Sequence, residues 1–516
     1  PVDLLWFGGI GTYVRGSTET NPEVGDRAND AIRITGAEVR AKVIGEGANL
    51  GVTQRGRIEY GLAGGHCNSD AIDNSGGVNS SDVEVNIKIA LATAMRSGSL
   101  TRPARNKLLA SMTDEVAGLV LANNYHQTLA ISLAQLRGTA EIPHQQRFMA
   151  ALEARRLLDR KVELLPSDAA LAERAARNEP LTRAEIGVLL AYAKMVLLDD
   201  LVASPLPDEP YLERDLLDYF PDRMAKKYAA EIGSHRLRRE IIATQLANDA
   251  INRGGPTFVS RLQDATGAPA NEIVEAYVLV RDGFGLPGLY AEIDALDAKI
   301  DGQAQLQLYQ AVGRLVHGQT TWFARNPDSA GLGERVAALQ AARKAIEPKL
   351  TSWLPADMKA RHGARVDTIA QSGAPAKLAE RLAGLSLSEL VPEMALVARL
   401  GEASPDEAAK AILSLNALFR IGRIEDAARS IMPGDYYDGL ALSRAHDMIA
   451  AARRGMAVAA LRTHGKADDP VAAWVQAGGQ RIERARERLQ GLTESGEITL
   501  SRLAVAAGLM NDLAGM

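Results

Sequence analysis

A chain of 516 residues is long for one hydrophobic core, so its length implies two to four domains. Apolar residues at 46% and charged residues at 24% exclude a mainly disordered chain. The 59 basic and 64 acidic side chains nearly cancel, leaving a net charge of −5, so no field gathers nucleic acid or an anionic membrane and neither is expected as a partner.

The chain opens on Val2-Asp3-Leu4-Leu5-Trp6-Phe7 after Pro1, with no Met and no signal-peptide pattern, and already reads as a buried strand. The expectation is that it starts in the middle of a fold. Short apolar runs at residues 2–7 and 39–44, with a weaker one at 58–62, alternate with glycine-rich loops in the manner of a parallel α/β sheet. About three strands are too few to stand alone, because a parallel sheet needs both faces covered. The lone Cys67 excludes an internal disulfide framework and fits a reducing compartment. No apolar run approaches the roughly 20 residues of a membrane helix. Cytoplasm is the expected location.

From Ser97-Gly98-Ser99 onward the sequence is alanine- and leucine-rich with helical periodicity. Thr182 and Glu185 form a capping box flanked by Leu181 and Ile186, and Ser404-Pro405-Asp406-Glu407 repeats that logic. The stripe Leu237, Ile241, Ile242, Leu246 stops at Gly254-Gly255-Pro256. Residues 204–210 and 265–270 read as linkers, because proline and glycine there forbid continued helix. No fixed-period repeat is present. The fold class is therefore an α/β remnant followed by a large mainly α-helical region, with divisions expected at 1–98, 99–330 and 331–516.

Two segments carry candidate chemistry: Gly45-Glu46-Gly47-Ala48-Asn49, and Asn74-Ser75-Gly76-Gly77-Val78 followed by Ser81. A strand ending in glycine and a short polar residue sets an amide at the carboxyl edge of a parallel sheet, where α/β folds bind ligands. The second segment predicts a turn feeding a helix whose first N–H groups face an anion, or else a plain helix cap. Residue chemistry alone leaves both open. As a phosphate-binding Gly-x-Gly-x-x-Gly, residues 45–50 fail at the third glycine.

Both segments, 25 residues apart, resemble the signature segments of the coenzyme domain of glutamate dehydrogenases. Residues 2–9 are similar to the strand and small-residue loop that pass beside the nicotinamide in that family. Downstream, residues 181–194, 208–212, 219–221 and 237–244 resemble the C-terminal helical region of the very large NAD-dependent bacterial branch. The resemblance implies that residues 1–98 are the C-terminal part of a Rossmann-like coenzyme domain. It implies that Gly8, Gly9, Thr12, Asn49 and Asn74 bind NAD at its nicotinamide end. Val78 and Ser81 would shape the pocket for L-glutamate or 2-oxoglutarate, Ser81 through the side-chain carboxylate. The family pattern has Gly-Pro-Thr-Thr after the asparagine and aromatic residues after the serine, where this chain has Leu50-Gly51-Val52-Thr53 and Asp82-Val83. The family's catalytic lysine and aspartate belong to an upstream domain. No catalytic residue is therefore assigned here, and the chain is expected to need the upstream part of its polypeptide and to assemble as a homo-oligomer, both carried over from the same likeness.

His66-Cys67 could begin a metal site, but structural zinc needs about four ligands and no second cysteine exists, so no metal is expected. Glu59, Asp70 and Asp73 could pair for acid/base work, and solvated loop acids are the expected reading. His235 with Arg236, Arg238 and Arg239, and the run from Arg481 to Arg488, read as solvated charged helix faces. Trp322, Trp353 and Trp474 read as core. The competing reading of the whole chain is a helical regulatory or oligomerisation scaffold without catalysis. A third is a dehydrogenase for another amino acid.

Overall fold

The computed structural model describes residues 2–428, 430–432, 434–494 and 496–515. The fold is mainly helical and divides into two compact units, Pro1–Tyr277 with Phe323–Arg325, and Val278–Trp322 with Asn326–Met516.

The first unit begins with strands β1 (Leu4–Phe7), β2 (Val14–Arg15), β3 (Ile34–Thr35), β4 (Val43–Glu46) and β5 (His66–Cys67). β1, β4 and β5 form a parallel sheet in that order, Leu4 opposite Val43 and Ile44 opposite Cys67. β2 and β3 form a separate parallel pair. The strand expected over 58–62 is instead the end of helix α1 (Gln54–Leu62). Thr53 caps it by accepting from Gly56 N at 3.0 Å, and Gly56, Arg57 and Tyr60 share its buried side, which is a helical spacing. The third strand is β5, two residues too short to leave a pattern in the sequence.

One face of the sheet meets a small core of Val14, Ile44, Val52, Tyr60 and Cys67. The other face is bare: Val2, Leu4, Trp6 and Val43 are 63%, 54%, 59% and 40% exposed. Alternation in a strand puts 2, 4 and 6 on one side, so this is a continuous apolar surface.

Helix α2 (Asp70–Asp73) leads through Asn74 into α3 (Ser75–Arg96). α4 (Thr113–Leu136), α5 (Arg183–Val202) and α6 (Arg238–Gly254) complete the helical layer, α4, α5 and α6 packing on one another and α3 on α4. Ile87, Leu91, Ile131, Leu189, Leu190, Ile242 and Leu246 are essentially inaccessible there, each worth about 1.5–3 kcal/mol of burial. Both capping boxes form: Thr182 Oγ1 meets Glu185 N at 3.4 Å and Ser404 Oγ meets Glu407 N at 3.3 Å. α6 ends at Gly255, whose φ of 96° only glycine adopts readily.

The second unit gathers α7 (Leu332–Trp353), α8 (Val391–Gly401), α9 (Pro405–Leu418), α10 (Tyr436–His464), α11 (Pro470–Glu494) and α12 (Leu500–Ala514) around one apolar core that includes Trp474. Within it the buried Glu393 carboxylate accepts from Trp322 Nε1 at 2.8 Å and from Arg454 on both oxygens at 2.8 Å, so Trp322 serves a structural ion pair. Among the described residues no helix is long and apolar enough to cross a membrane.

Candidate functional site: the carboxyl edge of β4

Beyond β4 the chain turns through Gly47, Ala48, Asn49 and Leu50. The indole of Trp6 lies across this turn, and a Cβ on Gly45 or Gly47 would come within 2.5 Å of its ring. In this chain the two glycines make room for an indole. Leu50 takes a left-handed φ of 57°, uncommon for a leucine, so the turn needs outside support.

Three carboxylates supply it. Glu46 N donates to Asp73 Oδ2 at 3.0 Å, Leu50 N to Asp70 Oδ2 at 2.9 Å and Val52 N to Glu46 Oε1 at 3.1 Å. Arg57 binds both oxygens of Glu46, at 2.7 and 3.0 Å, and reaches Asp70 Oδ1 at 3.2 Å. Glu46 and Arg57 are 0% and 3% exposed. Burial raises the Glu46 carboxyl above its ordinary value, against the lowering effect of Arg57. Asp70 and Asp73 are thus not solvated loop acids; they fasten the turn. Glu59 likewise lies on α1 and accepts from Ser17 N and Ala37 N.

Asn49 is exposed at the tip of the turn, and Asn74 Nδ2 donates to its Oδ1 at 3.0 Å. Asn49 Nδ2 has no protein partner among the described residues. Asn74 precedes α3 without a side-chain cap, its backbone at φ −94° and ψ 15° lying outside the extended conformation of a capping residue, and its Nδ2 is given to Asn49. The expected turn is a single residue, because α2 runs almost directly into α3. The N–H groups of Asn74 and Gly77 are spent on Asp70 O and Asn74 O, so no free helix start faces a ligand at those positions.

Gly8 and Gly9 follow β1 and are exposed, and a Cβ on Gly9 would meet nothing within 4 Å. Their loop returns beside the turn: Ala48 N donates to Phe7 O at 3.0 Å and Tyr13 N to Gly51 O at 2.9 Å. Thr12 is buried, its N–H on Asp26 and its carbonyl on Arg33, so its backbone is structural. Val78 and Ser81 follow Asn74 by four and seven residues, on one exposed side of α3 with Val85. Val83 faces the core at 1% exposure, so the residue after Asp82 does not share that side. The structure therefore brings Gly8, Gly9, Asn49 and Asn74 to one edge and sets Val78 and Ser81 along the adjoining helix.

Elsewhere, His66 and Cys67 lie on opposite faces of β5, and burial pushes the Cys67 thiol up to about 12. No group of three metal-capable side chains occurs among the described residues. His235 is buried against Asn86 O, and Arg239 holds Val202 O and Ser204 O, so these two side chains are structural, whereas Arg236 and Glu240 are exposed as a solvated face would have them.

Fold and site together define a class: a mostly helical protein whose short parallel sheet ends in a fastened amide-bearing edge. The comparisons with known proteins place it more closely. Residues 178–512 match the family described as "Glutamate dehydrogenase, C-terminal", and residues 1–134 match "Bacterial NAD-glutamate dehydrogenase, catalytic domain". The chain is 41% identical to an NAD-specific glutamate dehydrogenase of Pseudomonas aeruginosa, over all of this chain and 32% of that protein. It is 45% identical to one of Halomonas elongata, over 74% of this chain and 24% of that protein. It is 35% identical to one of Mycobacterium tuberculosis, over 98% and 31%. The chain belongs to the bacterial glutamate dehydrogenase family, and it spans at most about a third of the length of these relatives.

Proposed function

We propose that this chain is the C-terminal part of an NAD-dependent glutamate dehydrogenase, and that the β4 edge is the nicotinamide side of its active site. The observation that carries the reading is Asn49, held by Asn74 on a turn that three carboxylates fasten, with its Nδ2 left to donate. These residues fit one end of a dinucleotide. Gly8 and Gly9 leave room for a ring beside β1, and Asn49 supplies an amide donor. No phosphate-binding turn is among them. Bound there, NAD supplies the acceptor for the hydride that leaves the α-carbon of L-glutamate, giving 2-oxoglutarate and ammonium after water adds. The chain's own part is positional: to hold donors fixed before the substrate arrives. Thr12 supports the Gly8–Gly9 loop, and Val78 and Ser81 face the substrate.

On this reading residues 1–98 are the end of a Rossmann-like coenzyme domain, with 99–330 and 331–516 as helical domains. The bare face of Val2, Leu4, Trp6 and Val43 supports it, since a parallel sheet is stable when both faces are covered. The covering element is the preceding part of the same polypeptide, which also brings the lysine, the aspartate and the phosphate turn. The protein works as a cytoplasmic homo-oligomer.

The test is steady-state oxidation of glutamate by the intact polypeptide carrying Asn49→Ala or Asn74→Ala. Loss of at least about tenfold in kcat/KM is expected for each. Unchanged kinetics in both would favour the scaffold reading. Rates with leucine and phenylalanine, expected to be far below glutamate, decide between amino-acid substrates.

A further inference from the structure

The N-terminus of a helix is a poor place for a cation, because the macrodipole there is positive. Arg183 nevertheless occupies the first position of α5 and is partly buried. Its N–H groups find four acceptors, none of them a carboxylate. Nε donates to Asn68 Oδ1 at 2.9 Å, Nη1 to Ser132 Oγ at 2.9 Å and Gln135 Oε1 at 3.4 Å, and Nη2 to Thr128 O at 3.5 Å. Such a placement is costly unless the guanidinium is hydrogen-bonded and has an opposite charge nearby, and the carboxylate that acts on it is that of Asp73.

What it holds leads to the β4 edge. Asn68 uses both ends of its amide: Oδ1 takes Arg183, and Nδ2 donates to Asp73 Oδ1 at 2.7 Å. The other oxygen of Asp73 accepts Glu46 N at 3.0 Å. Glu46 ends β4 immediately before Gly47-Ala48-Asn49, and Asp73 is next in sequence to Asn74. One hydrogen-bonded line thus runs from the start of α5, through Asn68 and Asp73, to the backbone that carries both asparagines. Ser132, Gln135 and Thr128 anchor its far end on α4.

We infer that Arg183 is a positioning residue for the dinucleotide edge: through Asn68 and Asp73 it fixes the backbone that presents Asn49 and Asn74. The inference rests on the assignment of that edge to NAD. It adds that the helical layer sets the geometry of the edge, so that a residue with no contact to the cofactor controls its affinity.

The experiment uses the intact polypeptide with Arg183→Gln, Arg183→Lys and Asn68→Ala, reading NAD affinity by titration calorimetry and amide hydrogen exchange of residues 46–51 without nucleotide. Arg183→Gln is expected to weaken NAD binding about tenfold and to speed exchange over 46–51. Arg183→Lys should do the same, because one ammonium cannot reach acceptors arranged for a fork. Asn68→Ala should match it, and the double variant Arg183→Gln/Asn68→Ala should be no weaker than either single one, since both break one line. A lowered Tm with wild-type NAD affinity and wild-type exchange over 46–51 would overturn the inference, as would additive losses. Should Arg183→Gln not fold, Asn68→Ala is read alone by the same two measurements. Asn49→Ala separates the failures: weakened binding there with none in the Arg183 variants sinks only this inference, and unchanged binding in Asn49→Ala sinks the assignment of the edge.

Discussion

At the scale of single residues, the buried Glu46–Arg57 pair decides whether the β4 turn survives. Replacing Arg57 by Met leaves an unpaired buried carboxylate, which costs about 3–5 kcal/mol. Urea melts of the variant should show that loss, and a change below 1 kcal/mol would mean the pair is not buried in solution. Lys194 makes the opposite case. Among the described residues its Nζ reaches only Gln127 Oε1, at 3.3 Å, and burial holds it down to about 7, from an ordinary 10.5. The folded form releases its proton more readily than the unfolded chain. Stability therefore rises with pH between about 7 and 10.5 and is lost as pH falls through that window. Lys194→Met should stabilise by about 1–2 kcal/mol at pH 6, with the gain fading near pH 10, where thermal melts at both pH values would show it. An equal gain at both pH values would contradict the titration. Asn49 and Asn74 stand out in the sequence as candidates because each sits in a short motif, and the fold brings the two together. Asp70, Asp73 and Arg57 do not stand out, because their partners are backbone N–H groups or side chains up to 27 residues away and composition alone reads them as solvated.

At the scale of elements, local rules worked where the signal lies within four residues. Thr182–Glu185 and Ser404–Glu407 cap the helices their spacing announced. The Thr182 box is buried, and Arg174 also pairs with Glu185 at 2.8 Å, so Thr182→Ala should cost about 1–2 kcal/mol. A chemical melt reads this directly, and a loss within experimental error would show that Glu185 and Arg174 hold the helix start without the hydroxyl. The same rules failed at 58–62, where Ile58, Tyr60 and Leu62 alternate as a strand would. The Thr53 cap and the burial of Gly56, Arg57 and Tyr60 made it a helix, and the register of Arg57 against Glu46 belongs to tertiary structure. β5 escaped because two residues carry no period.

At the scale of the whole molecule, the sheet remains one-sided. Gly45→Ala is a local probe of that surface: its methyl would displace the Trp6 ring, costing about 1–3 kcal/mol if the indole lies flat there in solution. The mainly helical character was readable from periodicity after residue 97, whereas the two-unit division is set by contacts distant in sequence. The central claim is that the β4 edge is half of a dinucleotide site. The most direct measurement is calorimetric titration of NAD into this 516-residue chain and, in parallel, into the polypeptide that carries the preceding residues. Half a site should leave the chain alone with no detectable binding, while the longer polypeptide binds NAD. Equal affinity in the two would contradict it.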